Sequence, residues 1–212
     1  MEKSIIFSPF YYKGYVEETP IIQQAYVDKM LANYRVNPNH SNDWHVHSSY
    51  SGFGNLPHQL DWGECIKYYK SYVNQFTQDY FGKPLEWEIN GTPWYNVYGA
   101  NQNGPQHEHI YSDFSVVHYL KFNPEVHSGT TFINPNFITT KYLQGCKKDF
   151  IKNLTKSNIN HSLYATEFTP VVKEGDLIIF PSQLEHGVVQ SFSDDYRIII
   201  AFNFTIQQHG NR

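Results

Sequence analysis

At about residue 85 the hydrophobic period of this chain changes, and nothing else in the sequence constrains its fold as strongly. Beyond that point, short runs rich in β-branched and aromatic residues occupy 86–98, 114–122, 130–133, 168–172, 177–180, 187–192 and 197–205. Turn-forming residues separate them: Asn90-Gly91, Asn103-Gly104-Pro105, Ser128-Gly129, Glu174-Gly175-Asp176 and Ser193-Asp194-Asp195. Many short strands with such punctuation predict an all-β sandwich or barrel. The Lys- and Asn-rich stretch 136–166 interrupts the rhythm and reads as a long insertion.

Before residue 85 the period is helical. Thr19-Pro20 reads as an N-cap followed by proline in the first turn, and Ile22, Tyr26, Met30 and Tyr34 then repeat every four residues along one face. Asn37-Pro38-Asn39 stops this helix, and residues 40–60 have no periodicity and read as a long loop. Asp61 with Glu64 three residues later forms a capping box for a second helix. Its stripe is expected at Ile66, Tyr69, Val73, Phe76 and Tyr80, with Gly82 and Pro84 ending it. The expected organisation is one domain over 1–212: a helical part over 1–84 packed on a β core over 85–212.

Composition removes several functions. With 16 Lys+Arg against 20 Asp+Glu and no basic run, a nucleic-acid backbone is not the expected partner. No apolar stretch is long enough to span a bilayer, and the first residues turn polar too soon for a signal peptide. Two cysteines, Cys65 and Cys146, cannot build a disulfide framework, so a reducing compartment such as the cytoplasm is expected. Eleven histidines beside two cysteines mean that a transition-metal site here would be built from imidazole and carboxylate.

The segment that carries chemistry is Gln106-His107-Glu108-His109. In a strand, His107 and His109 share one face while Glu108 points away, so two imidazoles can take adjacent positions on a metal. The third ligand is expected from His186, between the runs 177–180 and 187–192. Asp113, four residues beyond His109, is the rival to His109 if a bulge intervenes. Arg197 opens the last long run. A buried arginine is costly without an anion, and its planar fork suits a carboxylate. The competing reading pairs it with Asp194 or Asp195 in the preceding turn. His45-Val46-His47 is a second His-x-His pair, but no His and Arg follow it at matching spacing, so loop or strand hydrogen bonding is expected there. His118, His127 and His161 read as structural or surface histidines, and Asp176 reads as a turn residue.

On these residues the chain resembles the iron(II)- and 2-oxoglutarate-dependent oxygenases, and within them a group common in bacteria and their phages. The resemblance runs through Trp94-Tyr95-Asn96, His107-Glu108-His109 with Ser115 and Tyr119, Gly175-Asp176, Phe180-Pro181-Ser182, His186, and Arg197 with Phe202-Asn203, or roughly residues 94–204. It implies a double-stranded β-helix (jelly roll), with His107, His109 and His186 on iron. It also implies Arg197 on the distal carboxylate of 2-oxoglutarate, with Asn96, Ser115 and Tyr119 in the co-substrate pocket. Two departures stand out. The superfamily usually has His-x-Asp where this chain has His109 at the second position, and many members have Ser or Thr where this chain has Ile199.

The function implied is hydroxylation of a small-molecule or peptide substrate, using Fe(II), 2-oxoglutarate and O2 and releasing succinate and CO2. The setting would be the cytoplasm, or the host cytoplasm for a phage-encoded chain, with a homodimer left open. Two other classes stay open at this point. One is a non-catalytic jelly-roll structural or binding module, and the other is a three-histidine cupin-type metalloenzyme that does not use 2-oxoglutarate.

Overall fold

The computed structural model describes residues 10–41, 44–50, 53–136, 138, 141–142, 145 and 165–207. In chain order its elements are β1 (Tyr12–Tyr15), α1 (Thr19–Val36), β2 (His47–Ser48), α2 (Trp62–Phe81), β3 (Trp87–Tyr98) and β4 (Gly104–His107). There follow β5 (Phe114–Lys121), β6 (Thr130–Ile133), β7 (Glu167–Phe168), β8 (Asp176–Pro181), β9 (His186–Val188) and β10 (Arg197–Ile206). Two antiparallel sheets result. The large one has the order β1-β8-β5-β10-β3-β2, and the small one β4-β9-β6-β7. This is the jelly roll expected from the sequence, with helices added to one side.

The run Arg-Ile-Ile-Ile-Ala-Phe-Asn-Phe explains the layering. It lies in the middle of the large sheet and is buried on both faces, which is why it lacks the alternation of a half-exposed strand. Ile198, Ile200, Phe202 and Phe204 point toward the helices, where they join Ile22, Tyr26, Met30, Tyr69, Val73 and Phe76 in one core. Ile199 and Ala201 point the other way, toward a second core with Trp94, Tyr98, Tyr119, Phe132 and Phe180. Side chains of the second set, together with Arg197 and Asn203, face the small sheet across the gap where chemistry can occur.

The helices follow the sequence with local corrections. The residue before α1 is Glu18, which makes no side-chain cap, so Thr19 begins the helix instead of capping it. Thr19 Oγ1 instead donates to the Val16 carbonyl and meets His118 Nε2 at 2.9 Å. Asp61 does cap α2, accepting from Glu64 N, and Gly82 closes it in the left-handed region. The buried stripe of α2 is rotated from the expected one: Cys65 and Thr77 are buried, whereas Tyr80 is half exposed. Four aromatic neighbours, Phe10, Phe76, Phe81 and Phe114, lie against the Tyr80 ring and hold it at the edge of the core. Residues 40–60 are not wholly loop, because His47–Ser48 add a short strand against β3. The described part of the first 84 residues thus supplies two strands as well as both helices. The runs 168–172 and 187–192 shrink to Glu167–Phe168 and His186–Val188. Most of the stretch 136–166, with His161 and Cys146, lies outside the described residues. Among those described, no helix is long and apolar enough to cross a membrane.

Candidate metal and co-substrate site

The site begins with one strand pair. In the small sheet β4 runs antiparallel to β9, and the register sets His107 directly opposite His186. Two imidazoles on facing positions of adjacent strands meet without any loop rearrangement. The strand ends at His107, so simple alternation does not bring in the third histidine. The chain turns out of the sheet, and a hydrogen bond from His109 N to the Ser182 carbonyl, 2.8 Å, holds the turn. The three rings converge, with centroids 4.4 Å apart for His107–His186, 4.9 Å for His107–His109 and 5.3 Å for His109–His186. One ring nitrogen from each lies within 4.8 Å of the others. Glu108 does not turn fully away; it is exposed and lines the mouth of the same cavity.

The local backbone sets the tautomers. His107 Nδ1 faces the Pro105 carbonyl at 2.9 Å, and His186 Nδ1 faces the Leu184 carbonyl at 2.8 Å. A carbonyl only accepts, so each Nδ1 carries the proton and each Nε2 keeps a lone pair for a metal. Burial also keeps the rings neutral. It pushes His186 down to about 3 and His109 to about 4, and neighbouring imidazoles add to the effect; burial lowers His107 as well. Asp113 takes no part in the cluster. Its Oδ2 accepts from Ile206 N at 2.8 Å and closes the end of β10.

Deeper in the gap, Arg197 is only 2% exposed. Its Nε and Nη1 are buried without a hydrogen-bond partner. Neither Asp194 nor Asp195 pairs with it, since the ion pairs of the described residues are Lys13–Asp176 and Lys67–Glu64. The guanidinium lies between two rings, 4.7 Å from the Tyr98 centroid and 5.4 Å from that of Tyr119. Tyr119 in turn donates to Thr130 Oγ1 and accepts from Thr130 N, which fixes its ring against the arginine. Asn96 is at the same end, buried, with Oδ1 lacking a partner.

Ser115 lies elsewhere. It faces Asn203, six residues along β10 from Arg197, which is about 20 Å of strand. There Ser115 Oγ donates to Asn203 Oδ1 at 2.8 Å and meets Ser182 Oγ at 2.8 Å. The three histidines, Arg197, Tyr98, Thr130, Asn96, Ser115 and Asn203 line one cavity of about 240 Å³. Sequence reasoning missed Trp44 and Tyr50 in the aromatic wall of that cavity, which Trp94 completes. Trp44 packs on His107 and Trp94 on His109, at centroid distances of 4.7 and 5.7 Å. Trp44 and Tyr50 flank the second His-x-His pair, which was the only signal near them. His47 itself is structural: Nδ1 faces the Asn37 carbonyl at 2.7 Å and Nε2 meets Tyr95 OH. His118 and His127 are likewise held by internal hydrogen bonds.

Comparison with known proteins gives this geometry a context. A family described as "Putative 2OG-Fe(II) oxygenase" matches residues 92–203, just over half of the chain. The chain belongs to this family. Its cofactors are iron(II) and 2-oxoglutarate, with O2 as co-substrate. A comparison with curated protein sequences returns no match. Among solved structures, a Pseudomonas putida prolyl-4-hydroxylase is 12% identical with a TM-score of 0.53, over 94% of this chain and 93% of its own. EctD from S. alaskensis, solved with 2-oxoglutarate and 5-hydroxyectoine, is 13% identical with a TM-score of 0.55, over 92% of this chain and 71% of its own. A Burkholderia pseudomallei structure of the 2OG-Fe(II) oxygenase family is 17% identical with a TM-score of 0.47, and this chain spans only 62% of its length. At such identities the likeness is one of fold.

The residues present fit the cofactors of the 2OG-Fe(II) oxygenases. Three neutral imidazoles within 4.8 Å form a donor set suited to iron. The orphaned donors of Arg197 call for an anion that the described residues do not provide.

Proposed function

We propose that this oxygenase is a hydroxylase, in which a substrate C–H, 2-oxoglutarate and O2 become C–OH, succinate and CO2. One oxygen atom of O2 enters the new hydroxyl and the other the new succinate carboxylate. One observation carries the reading. A single cavity has three metal-ready imidazoles on one side and a buried arginine with two unpartnered N–H donors on the other.

His107, His109 and His186 hold iron(II) through their free ring nitrogens. When bound, the metal supplies the activation of O2 that no side chain can provide. The protein's own residues position and protect. The Pro105 and Leu184 carbonyls keep His107 and His186 in the metal-binding tautomer, so no proton has to leave them on loading. Arg197 holds the distal carboxylate of 2-oxoglutarate through its fork, with Tyr98 and Tyr119 fixing the guanidinium plane. Asn96 offers a further polar contact at that end. Ile199, two residues beyond Arg197 on β10 and lining the same wall, supplies no hydroxyl to share the carboxylate. Trp44 and Trp94 limit water on the outer side of the triad.

The substrate is a small molecule or peptide able to reach the cavity mouth. The hydroxylase activity named for the Pseudomonas fold relative supports the reaction class. The proposed setting is the cytoplasm, of the host if the chain is phage-encoded. A homodimer would show in light scattering as twice the 24.8 kDa chain mass. The direct test incubates the purified protein with iron(II), ascorbate and 2-oxoglutarate and measures succinate. Wild type should release it, and His186→Ala should lose both iron and succinate release. A protein that loads iron and forms no succinate, with or without candidate substrates, would refute the assignment.

A further inference from the structure

The rings above the histidine triad form a closed circuit. From His107 it passes to Trp44 at 4.7 Å between centroids and to Phe53 at 5.7 Å. It continues to Tyr50 at 5.7 Å, Trp94 at 5.5 Å, His109 at 5.7 Å, and back to His107 at 4.9 Å. The four aromatic walls meet at interplanar angles of 67°, 63° and 81°. These are edge-to-face contacts, so each ring fixes the plane of its neighbour around the circuit. Trp44, Tyr50 and Trp94 do line the cavity.

Among the described residues, the charge at this mouth has one sign. Glu108, between the two histidines in sequence, lines the opening and has no ion-pair partner among the described residues. Arg197, the only permanent cation among the described lining residues, lies at the opposite, co-substrate end. An anionic substrate would meet the Glu108 carboxylate with no cation of the described residues beside it to offset it. A purely apolar one would strip water from that carboxylate without compensation. A cation gains from both features, because the ring faces carry the negative part of the aromatic quadrupole and the carboxylate adds a counter-charge.

We propose that this aromatic collar with Glu108 is a recognition site for an ammonium-type nitrogen, so that the substrate carries a protonated or methylated amine close to the carbon that is oxidised. The identification of the nitrogen as part of a substrate rests on the oxygenase reading; the binding itself does not. Tetramethylammonium chloride and its neutral near-isostere tert-butanol separate charge from shape. Each is titrated against the protein at constant ionic strength, with binding read from saturation-transfer NMR of the methyl signal.

Tetramethylammonium should bind at least about tenfold more tightly than tert-butanol. Glu108→Lys should abolish that preference while leaving tert-butanol binding in place, and Glu108 is exposed, so the fold should tolerate the change. Trp44→Leu should also remove the preference, reading the aromatic contribution separately from the charge. Equal binding of the two probes, or a preference that survives both variants, would overturn the proposal. Failure of the oxygenase reading would appear elsewhere, as the absence of succinate formation in a protein that still discriminates between the probes.

Discussion

Arg197 is the residue whose environment asks most of the fold. A buried guanidinium with two unpaired donors lowers the stability of the protein that carries it, and only an anion relieves the strain. Arg197→Met, which fills similar space without the charge, should therefore stabilise the protein lacking 2-oxoglutarate by about 1–3 kcal/mol. It should at the same time remove the stabilisation that 2-oxoglutarate confers on wild type. Urea unfolding with and without 2-oxoglutarate measures both effects, and a variant less stable than wild type in the absence of ligand would count against this reading. His118 makes a second prediction. Its ring bridges Tyr69 OH and Thr19 Oγ1, and burial pushes it down from 6.5 to about 3. The unfolded chain therefore binds a proton below pH 6.5 that the folded chain refuses, and stability falls as pH drops toward 3. By pH 5 this single group should cost about 2 kcal/mol. His118→Gln should flatten the decline in unfolding free energy between pH 7 and 5 by about that amount, and an unchanged slope would show that the ring is not held neutral.

The strand pair β4–β9 is the element on which the proposed metal site depends. Gly187 follows His186, and a Cβ there would lie 3.0 Å from the Gly104 carbonyl and 3.4 Å from the Gln106 backbone. Gly187→Ala should force the two strands apart by a few tenths of an ångström and so spread His107 from His186. Iron affinity should fall about 10- to 100-fold, as it does when the support of a ligand is disturbed, although every ligand remains. Calorimetric titration with iron(II) tests this, and undiminished affinity would mean that the site does not depend on strand spacing. At this scale the sequence was partly legible. The apolar run of β10 and the change of period at residue 85 reveal a sandwich because burial on both faces leaves no polar alternation to misread. The two-residue β2 could not be seen, since so short a strand is defined by its pairing with β3 and not by its own residues. The stripe of α2 was offset for a related reason: Phe10, far away in sequence, helps hold Tyr80 at the rim.

For the whole molecule, the large sheet serves two cores at once. One face binds the helices, and the other carries Arg197, Asn96 and Trp94 toward the small sheet. The order His107, His109, His186 and Arg197 could be read along the chain because each residue type is unusual in its setting. The outer wall could not be, because Trp44 and Tyr50 come from a stretch with no period, and only the folded chain brings them over the triad. Ser115 shows the same limit: it shares a cavity with Arg197 but lies at the Asn203 end, a distinction that depends on strand register. The central claim is that one cavity holds iron at the triad and 2-oxoglutarate at Arg197. The most direct test is an anaerobic titration of iron(II)-loaded protein with 2-oxoglutarate, following the visible charge-transfer band and checking metal content by elemental analysis. Wild type should show a saturable band at one iron per chain, and Arg197→Ala should keep the iron but need at least about tenfold more 2-oxoglutarate. Iron-loaded wild type that is indifferent to 2-oxoglutarate would contradict the account.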